Sequence, residues 1–449
     1  MRSHQLSRET FSAIAAGGGG PTAISLLSDI SYSKLLLLVT GVLRRATGRP
    51  GALDAERAFE QLASLHDKAP DEVEATLRHP SVRAWARHAA RTLTRPSSAR
   101  DADADLGRLG ALAAAAAIRA GVPATVEVAA PAGVLVLPSL GRALLRRDRA
   151  VIDVSGDGAE IRCLPGGAPA RVADDAAVDR LTLPADPRHD VPGWRALPRL
   201  SAGGASRRIE LIVDDTDPYR MPAMPDLAGP LTDRQVREWQ EVFPAGWEHL
   251  ARHHPDTADE VRAALRVLTP LRSPEHGQVS ATGRDTFGSI AMSVPTDPRS
   301  CAETLAHEVG HAKLTGLLDI VRLVLPDDGT RYYAPWRDDP RPASGLLQGV
   351  YAYLGVTGFW RRERSLDTTG TADREFARWR AAARAGAETL LNSGRLTAAG
   401  EEFVSGVRAT LLGWERDEVP ARAMARAADE NQRHHDAWKR RNTTTAASG

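Results

Sequence analysis

Apolar positions recur at helical spacing through the first quarter of the chain. TAISLLSDISYSKLLLLVTGVLRRA (22–46) is the strongest example, and residues 1–125 are predicted to be helical. Gly17 to Gly20 read as flexible punctuation before that run. Ala111 to Ile118 are good helix formers. From about Val126 the pattern shortens. VEVAAPAGVLVLPSLG, AVIDVSGDGAEIRCLPG and RRIELIVDD are β-prone runs separated by Gly and Pro, so 126–222 is predicted to be an antiparallel β-rich section. Helical spacing returns in LTDRQVREWQEVFPAGWEHLARHH, capped by Thr232 or Asp233, and in DTADEVRAALRVL. A strand-like stretch (278–295), two apolar helices and a helical region rich in Ala, Arg and Glu (374–439) complete the chain. The expected class is α+β, mostly helical. The expected organisation is an N-terminal helical region (1–125), a β-rich section (126–222), a core (223–365), a C-terminal helical region (366–440) and a disordered tail (441–449).

Charge narrows the function classes. Lys+Arg number 58 and Asp+Glu 57, so no global basic field points to nucleic acid. Arg83, Arg87, Arg91 and Arg95 repeat every four residues, which makes either a solvated helix face or a docking strip for an acidic peptide. Cys163 and Cys301 form no metal or disulfide pattern, which fits a reducing cytoplasm. The N-terminus lacks the long apolar core of a signal peptide, and the run Leu35–Val39 is too short to span a bilayer, so no membrane role is expected.

The chemistry concentrates in His307-Glu308-Val309-Gly310-His311. Residues i and i+4 of a helix share a face, so both imidazoles can reach one metal ion. Asp297-Pro298 supplies a helix start, Leu305, Val309, Ala312 and Leu317 supply an apolar face, and SIAMSVP (289–295) supplies a preceding strand. A strand followed by a metal-binding helix is the order of zincin-type sites, so a zincin-like HExxH helix core is expected; the alternative is two surface histidines on an amphipathic helix. Two neutral imidazoles suit Zn and Fe(II) alike. A further ligand should come from the helix at Gly345–Trp360, which offers no carboxylate. Its polar positions are Gln348, Tyr351, Tyr353 and Thr357, and the nearest acids are Asp338, Asp339 and Glu363. Glu308 is a general base toward metal-bound water, a group that hydrogen-bonds a metal ligand, or itself a ligand.

Tyr332, Tyr333, Trp336 and Arg337 cluster in RYYAPWRDDPRP, between the two site helices, in a chain with 5% aromatic residues. Arg337 there is either a carboxylate-binding group aided by tyrosine hydroxyls or a surface residue of a packed loop. The acids of DDTDPYRMP (214–222) read as Asx-type turns rather than a second metal site. The adjacent pairs His253-His254 and His434-His435 point different ways on a helix and are weak ligand candidates.

FSAIAAGGGGPTAISLL with SKLLLLV, then DDTDPYR, LAHEVGHAKL, and RYYAPWRDDPRP leading into GLLQGVYAYLGVTGFWR together resemble the HExxH motif-containing peptide-modification proteins of bacterial ribosomal-peptide gene clusters. The resemblance extends over most of the chain. It implies an Fe(II)- and 2-oxoglutarate-dependent β-hydroxylase of a ribosomally made precursor peptide, working beside a radical SAM maturase. It makes His307 and His311 iron ligands and gives the third position to Gln348, Asp339 or Glu308. It makes Arg337, with Tyr332 and Tyr333, the holder of the far carboxylate of 2-oxoglutarate. The peptide would add to the β-rich section or to an edge strand near Ser289–Val294. A zinc metallopeptidase cleaving a leader or other peptide, and a metal-free binding protein, are the other readings of the same residues.

Overall fold

A computed structural model describes residues 4–94, 99–156, 158–170, 176–222, 224–275 and 277–445. The chain is α+β and mostly helical. Six helices open it: α1 (Arg8–Ala15), α2 (Gly20–Ala46), α3 (Ala52–Lys68), α4 (Pro70–Leu77), α5 (Pro80–Thr92) and α6 (Ala99–Ala120). Strands β1 (Ala124–Ala129), β2 (Val134–Leu137), β3 (Gly141–Leu144), β4 (Arg149–Ser155), β5 (Gly158–Cys163), β6 (Arg180–Thr182), β7 (Trp194–Ala196), β8 (Arg199–Ala202) and β9 (Ile209–Val213) follow. Next come α7 (Asp233–His253), α8 (Pro255–Ala264), β10 (Val267–Pro270), β11 (Ser280–Ala281), β12 (Ser289–Met292) and α9 (Pro298–Leu317). The chain ends in α10 (Ala343–Glu363), α11 (Thr371–Asn392), α12 (Ala398–Gly413) and α13 (Ala421–Thr445).

The expected antiparallel section forms a four-stranded sheet β1-β4-β5-β6 and a three-stranded sheet β2-β3-β7. The first packs on α6 in a core shared with α3 to α5. Gly110 lets α6 approach β1, since a Cβ there would lie 2.5 Å from the Glu127 carbonyl oxygen. A third sheet, ordered β11-β12-β10-β9-β8, underlies the HEVGH helix; β9, β10 and β12 run parallel, and β11 and β8 close its edges antiparallel. The strand at Ser289 is therefore internal, and the sheet edge on its side is β11. β12 lies between two partners because the 280–281 segment folds back onto it.

Helix α9 starts where the sequence places it. Asp297 caps it, accepting from the backbone of Arg299 and Ser300 at 2.9 and 3.0 Å, with Pro298 at the first position. It lies between two cores. Leu305, Val309 and Ala312 face the core of α7, α8 and the third sheet, whereas Leu314 and Leu317 face α1, α2, α10 and α12. Close crossing of α9 and α10 requires small residues at both contacts: a Cβ on Gly310 would sit 3.2 Å from Ala352 Cα, and one on Gly355 3.1 Å from the Ala306 carbonyl oxygen.

Three sequence expectations change. The Gly17–Gly20 segment is clamped, not loose. Buried Lys313 donates to the Gly17 carbonyl at 2.7 Å and to Glu260 at 2.8 Å, and Glu260 in turn accepts from Gly20 N–H at 3.0 Å. Gly17, Gly19 and Gly20 adopt left-handed backbone angles that this turn needs. The arginine stripe is divided: Arg83 is buried on Asp319 and Ser31, Arg87 pairs with Asp285, Arg91 is exposed at the end of α5, and Arg95 lies outside the described residues. The tail expected to be disordered continues α13 as far as Thr445. Helix α2 has the length and apolar composition to cross a membrane, yet Ile24, Leu27, Ile30, Leu35 and Val39 are buried in the protein's own cores.

Candidate metal centre

His307 and His311 meet as the helical spacing demands. Their Nε2 atoms are 3.1 Å apart and their rings cross at 75°. Two nitrogens bound to one metal at about 2.0–2.1 Å stand roughly 3.0–3.4 Å apart, so the pair fits a shared ion. Burial, then the neighbouring His311, lowers the His307 pKa to about 4, which keeps the ring neutral with a lone pair to offer. Helix α10 adds Gln348, whose carbonyl oxygen accepts from His311 Nδ1–H at 3.0 Å. This corrects the expectation of Gln348 as a ligand. It occupies the far nitrogen, fixing the tautomer that leaves Nε2 free, because its helix passes on the Nδ1 edge of the ring.

Glu308 is almost fully buried; it accepts a short hydrogen bond from the Thr282 hydroxyl, and its other oxygen is 3.9 Å from His307 Nε2. Thr282 directly follows edge strand β11, so the sheet rim and this carboxylate adjoin. On the other side, the Tyr353 ring stands edge-on to His307 at 5.2 Å, backed by stacked Trp336 at 4.7 Å and by Trp379 at 4.5 Å. Gly349 makes the seat for Trp336, since a Cβ there would lie 2.3 Å from the indole nitrogen. One turn before His307, Glu303 accepts from Trp360 Nε1–H at 2.8 Å, and burial raises its pKa to about 7. Among the described residues no third His, Cys, Asp or Glu atom gathers with the two imidazoles within 4.8 Å.

The aromatic segment delivers a different residue from those expected. Arg337 is half exposed and binds Asp339 at 2.6 Å, and Asp339 also accepts from Arg341. In this arrangement Arg337 and Asp339 neutralise each other, Asp339 does not gather with the two imidazoles, and the Arg337 charge acts on Tyr353 beside His307. Tyr332 exchanges backbone hydrogen bonds with Arg341 at 2.7 and 2.9 Å, and the intervening turn carries Arg337 outward. Tyr333 leaves the site altogether: its hydroxyl hydrogen-bonds His434 Nδ1 at 2.8 Å, and its ring packs on His435 and Trp438 of α13. Trp336 is the member of the cluster that reaches the site.

A second histidine cluster escaped the sequence. His249 and His254 both place Nε2 on Glu363 Oε1, at 2.9 and 2.7 Å. His254 is the junction of α7 and α8, with φ −131°, so the chain has left the helix there and the argument from adjacent helical residues fails. Its ring stacks on Phe359 at 4.3 Å. Glu363 is fully buried, and its other oxygen lies 3.5 Å from Arg299 Nε. That pairing removes Glu363 from the candidates for the metal. The His-junction-His signal was present only as Pro255 directly after His254, which marks a helix restart.

No protein-family model matches the chain, and no curated protein matches it.

Proposed function

We propose that His307 and His311 hold Fe(II) on a zincin-like scaffold, and that the centre uses 2-oxoglutarate and O2 to hydroxylate a β-carbon in a ribosomally made precursor peptide. The observation behind this reading is the donor set. Two imidazoles converge, α10 spends Gln348 on Nδ1, and among the described residues no carboxylate oxygen gathers with both. A water-activating zinc needs a third protein ligand. Fe(II) oxygenases ordinarily add a carboxylate to two histidines, but a 2-oxo acid chelates and brings two donors of its own, which can fill positions that this site leaves open. Bound iron with its cosubstrate would supply the oxidation: one atom of O2 enters the peptide C–H bond, the other enters succinate, and 2-oxoglutarate loses CO2. The likeness of HEVGH, DDTDPYR and the APWR segment to peptide-modifying proteins supports the same reading.

The chain's own residues prepare that chemistry. Gln348 orients His311, and Tyr353 with Trp336 and Trp379 shields the His307 side from water. Glu308, fixed by Thr282, presents a carboxylate beside the ligands, and a peptide paired to β11 would run past it. A radical SAM maturase of the same cluster is the proposed partner, and unpaired Cys163 and Cys301 suit a reducing cytoplasm. A zinc metallopeptidase is the second reading, favoured by one observation: Glu308, 3.9 Å from His307 Nε2, stands where a general base toward metal-bound water would stand.

One experiment separates the readings. Anaerobic protein is incubated with Fe(II), 2-oxoglutarate and the neighbouring precursor peptide, then exposed to air. A peptide gaining one oxygen with matching succinate is expected. Cleavage with zinc alone would establish the peptidase, and an unchanged peptide with no metal retained would leave a binding protein.

A further inference from the structure

A second place gathers metal-ligand chemistry, behind the loop that carries Thr282. His79 caps α5 and is 4% exposed. Its Nδ1 is 2.9 Å from Ser81 Oγ, and the Ser81 hydroxyl donates to Asp217 Oδ2 at 2.7 Å. Ser81 has one proton and gives it to Asp217, so it accepts from His79 Nδ1–H. That relay leaves a bare lone pair on His79 Nε2. The atom has no hydrogen-bond partner and faces Asp214 Oδ2, 3.9 Å away, which has none either. Asp214 itself is fully buried at the end of β9, and its other oxygen accepts from the backbone of Thr216 and Asp217 at 3.3 and 2.9 Å. The Asx turns expected of DDTDPYR are therefore present, but they use only one oxygen of Asp214.

Two acceptors facing each other in a dry site repel unless a proton or a cation lies between them. A carboxylate oxygen of Asp217 gathers with them within 4.8 Å. Arg108 and Ser81 bind Asp217 Oδ2, and Arg220 donates to the Asp217 carbonyl, so neither guanidinium hydrogen-bonds His79 Nε2 or Asp214 Oδ2.

We propose that His79, Asp214 and Asp217 form a structural site for a divalent cation with affinity for mixed nitrogen and oxygen donors, of the zinc class. The His–Ser–Asp relay fixes the ligating tautomer, as outer partners do around metal-bound histidine. The ion would tie the N-terminal helices to the strand ends beneath the HEVGH helix. The site is independent of the reaction at His307.

The test uses full-length H307A/H311A protein, in which the first centre is disabled. It is equilibrated with zinc, desalted and assayed for metal, then repeated with cobalt and read by visible absorption. About one ion per chain is expected, with a cobalt band of imidazole–carboxylate type. Adding H79Q or D214N should lower occupancy at least about tenfold, with a drop in Tm, while circular dichroism reports whether each variant folds. A folded H307A/H311A protein without bound metal would overturn the proposal. So would metal that survives both H79Q and D214N, because it would then sit elsewhere, such as at His249. A carbonyl infrared band lost in D214N would show a protonated Asp214 in place of the ion and overturn it as well.

Discussion

Two clusters in one core bring together two histidines and a glutamate, and they are built for opposite ends. At the HEVGH helix the imidazole Nε2 atoms face each other at 3.1 Å, and Glu308 is held aside by Thr282. At the α7–α8 junction both Nε2 atoms end on Glu363 Oε1 at 2.9 and 2.7 Å. The first sets nitrogen against nitrogen, with no carboxylate oxygen among the described residues gathered with the pair. The second sets both nitrogens on one buried carboxylate oxygen. Residue types do not distinguish the two; the partner of each nitrogen does.

The sharpest break of that contrast removes one histidine from each. His307→Ala should abolish iron retention, read by elemental analysis, and turnover, read by peptide mass, while leaving the ion proposed at His79; His254→Ala should leave the iron content unchanged. Loss of metal in His254→Ala would erase the distinction. Glu363→Ala strands two imidazoles and should cost about 3–5 kcal/mol in denaturant unfolding without touching the first centre.

Glu303, between the clusters, tests the electrostatics. Its folded pKa is raised by burial to about 7. The unfolded chain therefore releases this proton first, and stability falls as pH rises from the ordinary carboxylate range to about 7. Glu303→Gln should remove about 2–3 kcal/mol of that decline, read from unfolding midpoints at pH 5 and 7.5. An unchanged pH profile would show that the carboxyl is solvated.

Gly349→Ala would push its new methyl into Trp336 and uncover Tyr353, at a cost of about 1–3 kcal/mol and with a blue or red shift in tryptophan emission. The smallest effect belongs to Arg337→Ala. Its exposed pair with Asp339 contributes about 0–1 kcal/mol, and 2-oxoglutarate dependence should persist. A large rise in the 2-oxoglutarate KM would return Arg337 to the site.

Much of the frame was legible in the residues. The start of α9 at Asp297-Pro298, its buried positions and the preceding strand are local patterns, and local backbone preferences report them directly. The two histidines were legible for the same reason, since i and i+4 on a helix need no tertiary information. The RYYAPWRDDPRP segment was not. Which of four neighbouring side chains turns inward depends on the Tyr332–Arg341 backbone pairing and on the seat left by Gly349, twelve residues beyond Arg337. Gly17–Gly20 reads as loose by composition, but Lys313, nearly three hundred residues away, holds it.

By itself the sequence determined a mostly helical α+β chain, the helix that presents His307 and His311, and the absence of a carboxylate between Gly345 and Trp360. Only the tertiary structure decided what each polar group faces: Gln348 on Nδ1 rather than on the ligand side, Arg337 on Asp339, Glu363 beneath His249 and His254, and His79 against Asp214. The physical reason is range. Periodicity and caps act within one or two turns, whereas a hydrogen-bond partner is chosen by packing between elements that the chain brings together from tens to hundreds of residues apart.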